Sequence, residues 1–200
     1  MRTRWLGWMF TVLVMGVATP ALAETYRVDL IVFLDKSAPA ETGQPPAMPN
    51  LGRAVALDDA ATLSRAGITL IPDEQFGLQE QWQRLRNAKR YQPLIRVAWT
   101  QTDPPAERGA ALRLKLGQSQ VIDATDQGFS SAAISPVEGS VALLLNQYLM
   151  VDADLLYTLP TASGYTSYPL RERRRMRRDE LHYLDSPKLG IVARVSKAAP

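Results

Sequence analysis

The residues best suited to chemistry lie in one short stretch, LRERRRMRRDELHYLD, at positions 170–185. Six arginines occupy eight consecutive positions there, and His182, the only histidine of the chain, follows them. A helix would place these like charges three and four residues apart, where they repel each other. We therefore predict a strand, a turn near 178–179, and a short second strand, ELHYL.

A row of arginines along a strand is suited to a polymer that presents carboxylates. Alternate strand residues repeat about every 6.6–6.8 Å, and each guanidinium can donate two parallel hydrogen bonds to one carboxylate. The alternation places Arg171, Arg173, Arg175 and Arg177 on one face and Arg174 and Met176 on the other. The candidate ligand-binding residues of the stretch are Arg173, Arg174, Arg175, Arg177, Arg178, His182 and Tyr183. The alternative is that the arginines pair with acidic residues of the protein itself.

The sequence offers little for metal binding or catalysis. Glu180 and His182 share a predicted strand face, but one histidine and no cysteine cannot build the usual zinc ligand sets. A Ser–His–Asp triad would need the same His182, and no G-x-S-x-G motif precedes it. A hydrolase that uses two carboxylates stays open, although the acidic residues lie at loop-like or outward positions. We expect no metal site, no cofactor and no enzymatic activity.

The first 23 residues have the pattern of an export signal. Two arginines precede an apolar run, residues 5–18, and residues 21–23, Ala-Leu-Ala, form the small-x-small pattern that signal peptidase cuts after. The run is too short to span a bilayer, and no later segment approaches the roughly 20 apolar residues that a span needs. We therefore predict a periplasmic protein, residues 24–200, with a cleaved signal, no membrane span and no lipid anchor.

Charge divides the predicted mature chain into an acidic body and a basic end. Residues 24–164 hold 12 basic and 16 acidic groups, whereas residues 165–200 hold nine and four. This asymmetry favours an anionic partner or an internal charge match. Cell-wall carboxylates and lipid phosphates are the abundant anions outside the cytoplasmic membrane, so we do not expect nucleic acid as the partner. With no cysteine there is no disulfide, and a chain of this length can bury an adequate core without one.

Apolar periodicity predicts about seven strands and two helices. Strands are expected at 25–33, 68–72, 93–101, 110–117, twice within 139–159 with a join near 151–153, and at 188–197; helices at 57–67 and 78–90; an exposed proline-rich loop at 37–50; and a tail at 198–200. Asp58 is the expected cap of the first helix. In the second helix Leu78, Trp82 and Leu85 share a face, so Trp82 is interpreted as a core anchor.

The expected fold follows from the order of these elements. Most of the later strands follow one another without an intervening helix, which favours antiparallel pairing. The prediction is an α+β protein with a single domain, residues 24–200. One mostly antiparallel, twisted sheet of about seven strands would carry the two helices on one face.

Four segments, in this order, resemble the CsiV family of exported peptidoglycan-binding proteins: YRVDLIVF, YQPLIRVAWTQ, GSVALLLNQYLMVDADLLY and RRRMRRDELHYLDSPKLGIVARV. The last segment is the most specific, and the resemblance spans nearly the whole mature chain. The family pattern leads us to expect histidine at positions 96 and 186, but this chain has Arg96 and Ser186 there. Trp99 joins the candidate residues, because Trp99 and Tyr183 could add sugar stacking.

The resemblance implies a non-catalytic protein of the Gram-negative periplasm that binds peptidoglycan. It also implies support of cell-wall synthesis by a class A penicillin-binding protein, through that enzyme or its activator. Two other functions stay open. One is an envelope-assembly adaptor that binds a protein and not the polymer, and the other is a carboxylate-based wall hydrolase.

Overall fold

The protein is described by a computed structural model over residues 23–37, 43–45, 47–118, 120–122, 132–162 and 164–198. The predicted export signal lies outside these ranges except for Ala23, as do residues 199 and 200 of the predicted tail. The elements are β1 (Thr25–Asp35), β2 (Ala54–Val55), α1 (Ala60–Arg65), β3 (Ile68–Leu70), a 3₁₀ turn (Asp73–Gln75), α2 (Gln79–Asn87), β4 (Tyr91–Thr102), β5 (Ala111–Leu116), β6 (Gln120–Ile122), β7 (Ala132–Ile134), β8 (Val137–Leu145), β9 (Leu149–Thr161), β10 (Gly164–Met176), β11 (Leu181–Asp185) and β12 (Leu189–Lys197).

Two five-stranded sheets form most of the structure. Sheet A has the order β11-β12-β1-β4-β3 and sheet B the order β10-β9-β8-β5-β2, while β6 and β7 form a separate ribbon. The pairings within both large sheets are antiparallel apart from the short parallel pair β2–β5. The predicted α+β class and antiparallel pairing are therefore confirmed. The single sheet of about seven strands is wrong, because apolar alternation identifies a strand without showing which sheet it joins.

The two strands predicted within 139–159 are present, but their turn lies earlier than expected. The chain reverses at residues 146–148, where the Asn146 side chain accepts a hydrogen bond from the Tyr148 N–H at 3.0 Å. Val151 and Ala153, the predicted join, are buried in the middle of β9 instead. The apolar residues keep the same parity on both sides of the turn, so the alternation did not reveal where the chain reverses.

The main core fills the space between the inward faces of the two sheets. Each central strand sends alternate residues into it, as period-2 patterning requires. Its buried side chains include Val28, Leu30, Trp99, Ile191, Ala193 and Val195 from sheet A, and Leu112, Leu114, Val141, Leu143, Val151, Leu155 and Leu170 from sheet B. Apart from Trp99, which belongs to this core, the candidate residues described below lie outside it.

The two helices lie at different places, and not on one face of a sheet. Helix α1 sends Leu63 into the main core, whereas α2 packs on the outer face of sheet A against Ile31 and Ala98. Leu78, at the start of α2, is fully buried, but Trp82 is only half-buried. The apolar face predicted for α2 is confirmed, and Trp82 packs at its margin. Neither helix of the described part of the chain has the length and apolar character that crossing a membrane requires.

The observed ends and caps of the two helices can be compared with those predicted from the sequence. Asp59, and not the predicted Asp58, caps α1 by accepting a hydrogen bond from the Thr62 N–H at 3.0 Å. Gly67 follows α1 with a φ of 69°, a left-handed conformation that glycine adopts without strain. Helix α2 ends at Asn87, three residues before the predicted end, and Ala88 is already extended.

A buried carboxylate joins sheet A to the segment that leads into α2. Asp29 is 1% exposed on the outer face of β1. It accepts hydrogen bonds from Arg27 at 2.8 and 2.9 Å and from the Gly77 N–H at 2.7 Å, while Arg194 lies 3.8 Å away. The negative charge of this buried carboxylate is therefore balanced by N–H donors and by two arginines.

The proline-rich segment predicted as a loop is described at residues 37, 43–45 and 47–50. Within these residues the segment pairs with β10 through one isolated β-bridge, between Gln44 and Ser167, with backbone hydrogen bonds of 2.8 and 2.9 Å. This bridge covers the outer edge of β10 near Ser167, upstream of the arginines.

Candidate functional site

The arginine run lies at the end of β10, the outermost strand of sheet B, and in the turn that follows. Leu170 and Met176 point into the core, so Arg171, Arg173 and Arg175 share the opposite, outward face. The predicted alternation is confirmed for these three arginines. The strand ends at Met176, which leaves Arg177 and Arg178 outside it, and the predicted turn is formed at 178–179.

Two arginines of the outward row pair with aspartates of the neighbouring strand. Arg171 lies opposite Asp154 and Arg173 opposite Asp152 in the β9–β10 register. The Arg171 Nε donates to Asp154 at 3.1 Å, and the Arg173 Nη2 donates to Asp152 at 2.6 Å. The hydrogen bond with Asp152 raises the pKa of Arg173. Internal pairing, one of the two interpretations that the sequence left open, therefore holds for this part of the row.

Both guanidinium groups keep N–H donors that these ion pairs do not engage. The side chains of Arg171 and Arg173 are 58% and 47% exposed, and each donates one hydrogen bond to its aspartate. A guanidinium has five N–H donors, so most donors of this pair of arginines still face solvent. Exposed ion pairs of this kind contribute only about 0–1 kcal/mol, and an incoming carboxylate can share the same cations.

Arg174 connects the edges of the two sheets. It lies on the inward-facing parity of β10, forms an ion pair with Glu172 at 2.9 Å, and donates to the Tyr183 carbonyl of β11 at 3.0 Å. β10 belongs to sheet B and β11 to sheet A. Arg174 therefore closes the side of the structure between two edge strands, a role that the strand pattern did not predict.

The remaining residues of the run have different surroundings. The Arg175 guanidinium carbon lies 3.4 Å from the centre of the exposed Tyr148 ring, a close cation–π contact. Arg177 lies 3.8 Å from Glu180, and its backbone N–H donates to His182 Nε2 at 2.9 Å. His182 thus accepts a bond that closes the turn between β10 and β11.

Arg178 makes no ion pair within the described residues. Its charge acts at longer range on Glu24, whose pKa is lowered by hydrogen bonds from Tyr26 and Lys197 and, to a smaller extent, by Arg178. Four of the six arginines of the run form ion pairs, with Asp154, Asp152, Glu172 and Glu180. Arg175 and Arg178 form none within the described residues.

The cavity beside the arginine row is small. Asn50, Arg53, Ser140, Asp152 and Asp154 line a space of about 100 Å³ on the outer face of sheet B. Sites that enclose small molecules usually have volumes of about 300–1,000 Å³. The row is therefore a surface that an extended anionic chain could contact, and not a pocket that would enclose a sugar.

Trp99, the other aromatic candidate, lies in the core. It is 1% exposed, and its Nε1–H donates to the buried Gln101 at 3.4 Å. No ring face is available to a ligand, which corrects its assignment as a stacking residue. Trp99 shares its face of β4 with Ile95 and Val97, and that face is buried between the two sheets.

Tyr183 is available to a ligand and belongs to an aromatic cluster on the outer face of sheet A. It is 46% exposed and stacks on Phe33 with 5.8 Å between ring centres, while Phe33 meets the edge of Tyr91 at 5.3 Å. A side chain at Gly190 would place its Cβ 2.2 Å from Phe33, so glycine makes the room for that ring. Burial of its inner side raises the pKa of Tyr183, which keeps the phenol protonated.

Arg90 and Asp35 hold the far side of this cluster. Arg90 donates to Asp35 at 2.6, 3.0 and 3.1 Å, which lowers the pKa of that carboxyl, and its guanidinium lies 5.2 Å from the Tyr91 ring centre. Sequence reasoning missed Arg90 and Tyr91. The signal was the basic and aromatic run RNAKRY at residues 86–91, which extends from the last residues of α2 to the first residue of β4.

The two departures from the expected family pattern have structural roles. Arg96 donates to Gln79 at 2.9 Å, forms a close ion pair with Asp73, and lies 5.1 Å from the Trp82 ring centre. The Ser186 hydroxyl accepts a bond from the Leu189 N–H at 3.2 Å in the turn between β11 and β12. Among the described residues, no group of three His, Asp or Glu side chains could hold a metal ion.

Comparison with known proteins gives one match. Residues 8–198 match the model of the family described as "Peptidoglycan-binding protein, CsiV". No curated protein and no solved structure matches the chain. The match covers nearly the whole chain and confirms the resemblance found in the four sequence segments.

Proposed function

The chain belongs to the CsiV family of peptidoglycan-binding proteins, and on this premise we propose that it is a non-catalytic accessory protein of the periplasm. Membership implies peptidoglycan binding and a place in the cell envelope. Our proposal goes further in two respects: the protein binds without cleaving the polymer, and the bound protein supports wall synthesis by a class A penicillin-binding protein.

The observation that carries this proposal is the exposed arginine row on an edge strand. Peptidoglycan presents carboxylates at intervals along flexible stem peptides, and the row presents guanidinium donors at strand spacing. Free donors of Arg171 and Arg173 face solvent although each arginine is already held by an aspartate. Such a surface fits attraction of an anionic polymer better than enclosure of a small substrate.

The carboxylates near the row support a binding role over hydrolysis. Asp152 and Asp154 accept hydrogen bonds from arginines, and Glu138 on the same outer face pairs closely with Arg113. A two-carboxylate hydrolase needs one carboxylic acid that gives up a proton to the leaving group. Each of these three carboxylates is already engaged by an arginine of the protein itself, so none is free to act on a bound substrate.

Incubation of the purified chain with isolated sacculi separates the three functional classes. We expect the protein to sediment with the sacculi and no muropeptides to be released. Released muropeptides would identify a hydrolase, and a copurifying envelope protein without sacculus binding would identify an adaptor. Addition of the chain to a glycan-polymerisation assay with a class A enzyme tests the supporting role, which predicts a faster reaction.

Substitution of three arginines tests the contribution of the row. We expect Arg171→Gln, Arg173→Gln and Arg175→Gln together to weaken sacculus binding and to reduce its salt dependence, because three cations are lost. The melting temperature should change little, since each exposed pair contributes only about 0–1 kcal/mol. Co-sedimentation and thermal melting on the same preparation measure both effects.

The matched control removes three exposed cations elsewhere, with Arg65→Gln, Arg108→Gln and Lys115→Gln. None of these forms an ion pair within the described part of the chain, and the net charge falls equally. If the row variant melted early and bound normally per folded molecule, the arginines would serve internal pairing alone.

A further inference from the structure

A second surface, away from the arginine row, has the size and chemistry of a ligand site. An open groove of about 460 Å³ lies between the end of α2, the start of β4 and the turn after β1. Its walls include Lys36, Trp82, Arg86, Lys89 and Tyr91. This volume is within the usual range for small-molecule and saccharide-sized sites, about 300–1,000 Å³.

The cations of the groove are unpaired, in contrast to those of the row. Lys36, Arg86 and Lys89 are exposed and make no ion pair within the described residues. None of the described groove-lining residues is acidic, and the nearby Asp35 is already held by Arg90. Unneutralised positive charge around a concave surface attracts an anionic ligand and raises its local concentration.

The aromatic rings of the groove are fixed by packing. One side of Trp82 meets the Arg96 guanidinium at 5.1 Å, and Tyr91 is held by the edge contact with Phe33 at 5.3 Å. Both rings remain only half-buried, so part of each still faces the groove. Side chains that are already immobilised lose little entropy when a ligand binds, which favours affinity.

We propose that this groove binds glycan strands of peptidoglycan from which the stem peptides have been removed. The C–H faces of the N-acetylated sugars pack on Trp82 and Tyr91, and the lactyl carboxylate, which is free where the stem peptide is absent, lies among Lys36, Arg86 and Lys89. The combination of aromatic faces with unpaired cations matches a sugar that carries an acid better than it matches a peptide. This inference rests on the proposed function and assigns the glycan, as distinct from the stem peptide, to a particular surface.

The test uses peptide-free glycan chains and, separately, free stem peptides as probes. In the groove variant, Lys36→Gln, Arg86→Gln and Lys89→Gln are combined. We expect wild-type protein to bind the glycan chains and the groove variant to bind them about five-fold more weakly or worse, from three lost contacts of a few tenths of a kcal/mol or more each. Glycan should also change the fluorescence of Trp82, and this change should be absent from a Trp82→Phe variant.

The control variant with Arg65→Gln, Arg108→Gln and Lys115→Gln should bind the glycan as the wild type does. Equal weakening in both triple variants, undiminished binding by the groove variant, or binding of stem peptides with no binding of glycan would overturn the groove assignment. In these cases wild-type protein would still sediment with sacculi, and the proposed function would stand. Failure of the wild type to bind sacculi would overturn both.

Discussion

Replacement of Trp99 by alanine should lower the free energy of unfolding by about 3–5 kcal/mol, as for other large buried aromatic side chains. Trp99 is 1% exposed between the two sheets, so alanine at this position would leave a cavity in the main core. For a chain of this size the melting temperature should fall by roughly 6–20 °C. Thermal melting followed by circular dichroism measures the change.

The matched control is Trp82→Ala, which removes the same side chain from a half-buried position at the margin of α2. We expect a loss of about 1–3 kcal/mol there, as for ordinary point substitutions. The sequence alone assigned the anchoring role to Trp82, and the structure transfers it to Trp99. If Trp82→Ala proved the more damaging of the two, the buried position of Trp99 between the sheets would be contradicted.

Removal of the Asp29 carboxylate should have the second large effect. Asp29→Ala takes away the hydrogen-bond acceptor of Arg27 and of the Gly77 N–H, and the ion-pair partner of Arg194. We expect about 3 kcal/mol of destabilisation, near the low end for breaking a buried pair, because the arginines left behind are partly exposed and can regain water. Denaturant unfolding measures the loss directly.

The control for this prediction is Asp152→Ala on β9, also an aspartate paired with an arginine on a strand. The Asp152 side chain is 26% exposed, against 1% for Asp29. The exposed pair should contribute about 1 kcal/mol or less. Equal losses in the two variants would show that burial does not decide the contribution of Asp29.

Local patterns in the sequence identified many elements well. β1 and β12 were predicted at 25–33 and 188–197 and lie at Thr25–Asp35 and Leu189–Lys197. In both strands apolar residues occupy every alternate position of one face, so the information is contained within a dozen residues. The predicted outward placement of Arg171, Arg173 and Arg175 and the turn at 178–179 were correct for the same reason, whereas Arg177 lies beyond the strand.

Contacts between distant segments were not predictable in this way. The pairing of Arg173 with Asp152 depends on the β9–β10 register, in which Gly164 lies opposite Thr161, and the apolar alternation of either strand alone does not specify that register. The aromatic cluster brings Tyr183, Phe33 and Tyr91 together from three strands that are far apart in sequence. Candidate residues can be named from local chemistry, but their partners depend on the fold.

Sedimentation of the purified chain with sacculi, measured against protein concentration at low salt and at high salt, tests the central claim most directly. We expect saturable binding at low salt that weakens steeply as salt rises, because at 0.15 M the charges are already screened within about 8 Å. A protein that stayed in the supernatant at low salt would contradict peptidoglycan binding. Binding that was unchanged by salt would contradict the part assigned to the arginines.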